Sequence, residues 1–105
     1  MTLAVKQGVK LPTALAMSII VDVVHSTMRD AGFDCTITGA LEGSHSRSSK
    51  HYVGLALDFR SRNIPPGEQP KLRDKIAALL GPDFDVILEP DHFHIEYDVK
   101  TPIGA

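Results

Sequence analysis

Two stretches of this chain alternate apolar and polar residues at period two, and they restrict the possible folds more than any other feature. In "VGLALDFR", residues 53–60, Val53, Leu55, Leu57 and Phe59 point one way while Gly54, Ala56, Asp58 and Arg60 point the other. In "HFHIEYDV", residues 92–99, Phe93, Ile95 and Tyr97 alternate with His92, His94 and Glu96. Such strands have one wet face and one apolar face, and the apolar face needs a second layer to cover it.

Helices can supply that layer. From Thr13 to Ala31, Met17, Ile20, Val21, Val24 and Met28 recur at three- and four-residue spacing, and Gly32 suits a C-terminal stop. Pro70 can open a second helix in which Leu72, Ile76, Leu79 and Leu80 share a face, with Gly81 and Pro82 ending it. "FDCTITG", residues 33–39, reads as a first strand with Cys35 as a small core residue, and "FDVILEP", residues 84–90, leads through a tight Pro90-Asp91 corner into the last strand. "GALEGSHSRSSK", residues 39–50, reads as an exposed loop. The expected fold class is α+β: a small, mainly antiparallel sheet with helices packed on one face.

Residues 1–105 suit a single domain. A formal charge of −2 with no basic block argues against nucleic acid as a partner. The lone Cys35 excludes an internal disulfide, leaving packing or a metal to support a small core. No signal-peptide h-region is visible, and Ser18 and Asp22 interrupt the one long apolar stretch, so neither secretion by that route nor membrane insertion is expected. A monomer is the expected state.

The polar faces carry the chemistry. If the two alternating strands share a sheet, Asp58 and His94 project from the same side, and His51 hangs over it from the loop edge. Two imidazoles and one carboxylate form a set that leaves a fourth tetrahedral position for water, as catalytic zinc requires. Gly54 and Ala56 then leave room for metal and substrate. Asp91, three residues before His94, is the candidate general base, with Glu89 second. Arg47, in the loop before His51, is the candidate to stabilise an oxyanion. His45 is a weaker rival ligand, His25 reads as structural or exposed, and Glu96 could steady His94 from behind.

These residues resemble a known family. "SKHYVGLALD" is similar to the S-x-H-x-x-G-x-A-x-D signature of D-Ala-D-Ala carboxypeptidase-like zinc metallopeptidases, and "DHFHIEY" is similar to their second signature, an acid followed three residues later by a zinc histidine. The wider superfamily includes lysostaphin-type peptidases and the hedgehog signalling domain. The resemblance, spanning about residues 44–97, implies zinc held by His51, Asp58 and His94, with Asp91 as base. It further implies that His92 lines the site and that Ser49 holds the loop behind the ligands. The implied substrates are peptidoglycan peptide stems, cut by an L-Ala-D-Glu endopeptidase or a D,D-carboxypeptidase. A phage endolysin would meet them after release from the host cytoplasm into the cell wall. The rival expectation is a zinc-containing module that binds cell wall, or is hedgehog-like, without hydrolysis. In one respect the chain departs from the family: where many members carry an arginine just after the first strand, this turn reads "TGALEG".

Overall fold

The structure, a computed structural model, describes residues 11–41 and 56–99. Its element order is α1 (Thr13–Asp30), β1 (Ile37–Leu41), β2 (Ala56–Arg60), α2 (Gln69–Leu80), β3 (Phe84–Leu88) and β4 (His92–Tyr97). The strands form one sheet in the order β1-β2-β4-β3, with every neighbouring pair antiparallel. This is the expected α+β architecture.

Local chemistry sets the helix ends. Gly32 takes a φ of +87°, and beyond it the Phe33 N–H donates to the Met28 carbonyl at 2.8 Å. A glycine in the left-handed region lets the chain turn back onto the last carbonyls of α1 without steric cost. Pro70 sits in the first turn of α2, where a missing N–H leaves no helical hydrogen bond unmade. Gly81, with a φ of +91°, ends that helix.

Both helices cover the same face of the sheet. Ile20, Val24 and Met28 of α1 and Ile76 of α2 are fully buried against Phe59 of β2 and Phe93 and Ile95 of β4. Each such side chain contributes about 1.5–3 kcal/mol over its exposed state. The two phenylalanines face each other in the β2–β4 register, so core packing and strand pairing specify the same alignment. That alignment decides what meets on the other face.

Several expected boundaries move. The first strand runs over 37–41 rather than 33–39, so Cys35 precedes it, and Gly39, Ala40 and Leu41 belong to a strand instead of a loop. Pairing with β2 begins only where the Arg60 N–H reaches the Thr36 carbonyl at 2.8 Å, which leaves Phe33 to Cys35 as the lead-in from α1. Cys35 still packs half-buried against the core, and burial pushes its thiol pKa up. The strands expected over 84–90 and 92–99 end at Leu88 and Tyr97. Leu79 is 59% exposed, so the buried stripe of α2 is Leu72 and Ile76, with Leu80 partly covered. Among the described residues, no helix is long and apolar enough to cross a membrane.

Candidate metal centre

The antiparallel registers generate the site. Across the face turned away from α1 and α2 runs a row of directly opposed residues from all four strands: Ile87, His94, Asp58 and Gly39. A second row places His92 opposite Arg60, and a third places Asp85, Glu96 and Ala56 side by side. Opposed residues in antiparallel strands lie about 4.5–5.5 Å apart at their Cα atoms, close enough for short side chains to touch.

In the central row they do touch. His94 Nδ1 lies 2.7 Å from Asp58 Oδ1, and His94 Nε2 lies 3.1 Å from Glu96 Oε1. His92 Nε2 approaches the same Asp58 oxygen at 3.8 Å, while its Nδ1 lies 2.7 Å from Asp91 Oδ1. Asp58, His92 and His94 therefore each offer a ligand atom within 4.8 Å of the other two, and all three are half-buried. One carboxylate and two imidazoles are the donors zinc favours, and the shared Asp58 oxygen gives them a common focus. The residues present fit a divalent transition metal.

Each imidazole is also oriented from behind. An ionised carboxylate can only accept, so the His92 nitrogen facing Asp91 donates, which turns the Nε2 lone pair toward Asp58. Likewise Glu96 accepts from His94 Nε2 when Nδ1 is needed as a ligand, the carboxylate–imidazole support typical of metal histidines. Glu96 thus stands beside His94 on the polar face that strand alternation predicts for both. The Asp91 backbone is itself pinned, since its carbonyl accepts from the Ser61 N–H at 3.3 Å. Gln69 Nε2 ties the Ser61 and Ile64 carbonyls together from α2, at 3.0 and 2.8 Å.

Burial opposes charge on His94, but hydrogen bonds and Coulombic attraction from Asp58 and Glu96 outweigh it, and the imidazole titrates above its usual range. In the metal-free protein this raised pKa stabilises the fold at low pH, and the contribution is lost as pH rises through the folded-state value. Metal binding runs the opposite way, because the proton on Nδ1 must leave. Affinity for a divalent metal held through His94 should therefore begin to fall, on acidification, at a higher pH than at an ordinary histidine site, by about tenfold per pH unit for that one proton. A chelator-competition series from about pH 5.5 to about 8 would measure it. An affinity that stays flat down to the ordinary imidazole range would contradict the assignment of His94.

Gly39, to which sequence reading gave no role, closes the central row. A Cβ there would stand 3.2 Å from Asp58 Oδ2, so only glycine leaves that carboxylate its present position without adjustment. Gly39→Ala is expected to keep the fold, since alanine suits a strand no worse, but to loosen a divalent metal held by Asp58 about tenfold by displacing that carboxylate, in line with other residues that position ligands. Paired measurements of thermal unfolding and zinc affinity would check this; an unchanged affinity would show that Asp58 moves aside freely.

The structure brings together Asp58, His94, His92 and Asp91 from the expected set. Asp91 reaches the cluster through His92, not directly. Glu89 lies at the hairpin, where its backbone N–H donates to the His92 carbonyl at 2.8 Å. His25 is exposed on α1. His51, Arg47, Ser49, His45 and Gly54 lie outside the described residues. A second group, Asp85, Glu96 and Asp98, also places ligand atoms within 4.8 Å of one another, but it offers only carboxylates and shares Glu96 with His94. Compared with family models, curated proteins and solved structures, the chain finds no match.

Proposed function

We propose that this chain is a zinc peptidase of the D-Ala-D-Ala carboxypeptidase-like class, acting on the peptide stems of peptidoglycan. The observation that carries the proposal is the Asp58–His94 contact of 2.7 Å between β2 and β4. It joins the two signature stretches at the very residues the resemblance makes ligands. Asp58 and His94 would hold the metal, with His51 completing the set as the resemblance implies; His92 is the alternative third ligand, favoured by its 3.8 Å approach to Asp58.

A zinc ion held by these residues would supply Lewis acidity to a scissile carbonyl and a water made nucleophilic at neutral pH. The remaining steps belong to the chain. Asp91 stands exposed at the β3–β4 corner, and its hydrogen bond with His92 holds its carboxyl below the usual carboxylate range. It is therefore ionised at neutral pH, can accept a proton at a carboxylate oxygen and can return it to the leaving amine. His92 holds that carboxylate in place and presents Nε2 to the space over Asp58. Glu96 keeps the His94 ring from rotating. Arg47 is the candidate donor to the developing oxyanion.

Digestion of purified sacculi, followed by mass spectrometry of the fragments, tests the reading. New amino termini are expected with zinc and none after chelation, and their position names the bond. Binding to sacculi without new termini would instead support the non-catalytic cell-wall module.

A further inference from the structure

Arg60 shares the polar face with Asp58, two residues along β2, and stands directly opposite His92 of β4. The residue is half-buried, and its Nε is buried without a hydrogen-bond partner. Asp58 shares its face and Asp91 precedes its cross-strand neighbour His92, yet each of these acids is taken up by a histidine, and among the described residues Arg60 forms no ion pair. A guanidinium whose acidic neighbours are engaged elsewhere and that still has an unmet donor is a site short of one acceptor. Alternate residues on a strand lie about 7 Å apart, roughly two residue lengths of extended peptide.

From this we infer that Arg60 binds a free carboxylate of the substrate, within about two residues of the scissile amide. It makes the enzyme selective for acidic peptides. Arg60 is suited to the task because its planar fork can hold a carboxylate through two parallel hydrogen bonds, which a point charge cannot do. The carboxylate would also bring a negative charge to a cation that, among the described residues, has no ion-pair partner. The inference rests on the peptidase reading of the same site and names the substrate feature that site selects.

Two synthetic stem peptides, identical except that one free carboxylate is converted to a carboxamide, provide the test. They would be titrated calorimetrically into zinc-loaded wild type, Arg60→Met and Arg60→Lys, and hydrolysis followed in parallel. Wild type should prefer the carboxylate peptide by about tenfold or more in affinity and KM, with kcat nearly unchanged, as expected for loss of a charged hydrogen-bonded contact. Arg60→Met should bind both peptides with the weaker affinity, Arg60→Lys should fall between, and all three should hold zinc equally. The same preference in Arg60→Met as in wild type overturns the inference, as does a wild type indifferent to amidation. Should Arg60→Met fail to fold, Arg60→Lys decides: a preference equal to wild type overturns the inference, and a reduced one supports it. Should wild type hydrolyse neither peptide, the peptidase reading falls. The calorimetric preference then judges Arg60 separately.

Discussion

Asp58→Asn is expected to weaken zinc binding by about 100-fold or more, and hydrolysis with it, while leaving the fold in place. Asparagine matches the volume of aspartate, and its side-chain oxygen can still face His94 Nδ1, so the opposed pairs of β2 and β4 and the Phe59–Phe93 packing beneath them persist. The negative charge does not persist, and Asp58 Oδ1 is the atom toward which both imidazoles converge, at 2.7 and 3.8 Å. Zinc-finger-type sites bind with about 10–16 kcal/mol spread over four ligands, so one lost ligand costs about 3 kcal/mol, or on the order of 100-fold in affinity or more. A neutral partner also removes part of what raises the His94 pKa. The metal-free variant should therefore be less stable than wild type in acid and close to it above the raised folded-state pKa of His94. Zinc content after dialysis, thermal unfolding at two pH values and sacculus digestion would measure these effects separately. A variant that kept zinc at wild-type affinity would remove Asp58 from the ligand set.

Much of the placement of these side chains is legible in the sequence, and the reason lies in period two. Alternation alone puts Asp58 and Arg60 on one face of their strand and His92, His94 and Glu96 on one face of theirs. Large apolar residues on the reverse sides say which face is buried. What alternation does not carry is register. Whether His94 meets Asp58, Ala56 or Arg60 depends on the pairing of strands 36 residues apart, which non-local packing decides. The D-x-x-H spacing of the second signature and the H-x-x-G-x-A-x-D spacing of the first bridged that gap by resemblance.

Where no motif helped, the sequence was mute. Gly39 pairs with Asp58 only after the register shift between Ile37 and Gly39 in β1, and no local pattern announces such an irregularity. The sequence pattern places the start of this irregular strand four residues too early, because "FDC" has as much strand character as "TIT" and only the contact from Arg60 to Thr36 tells them apart. Alternation puts Arg60 on the polar face without suggesting a role for it, since its neighbour across the sheet, His92, is defined only by the β2–β4 pairing.

Asp91→Asn should separate catalysis from metal binding. The sequence cast Asp91 as the proton acceptor, yet in the structure its carboxylate contacts His92 at 2.7 Å and reaches the cluster only through that ring. Two roles follow, with different signatures. As general base, Asp91 contributes about 10²- to 10⁴-fold to turnover, and asparagine, which cannot take up a proton at neutral pH, removes that factor while zinc affinity stays near wild type. If its work were only to fix the His92 tautomer, the loss would appear instead in zinc affinity, about 10- to 100-fold, and excess zinc would restore turnover. His92→Ala completes the comparison. With Asp91 as base, the alanine variant keeps more turnover at saturating zinc than Asp91→Asn does, because the carboxylate remains ionised although His92 no longer holds it in place. If His92 is a ligand held by Asp91, the alanine and asparagine variants should both weaken zinc, and combining them should cost little more than His92→Ala alone. The base assignment predicts a kcat defect in Asp91→Asn that no concentration of zinc repairs, and recovery on adding zinc would refute it.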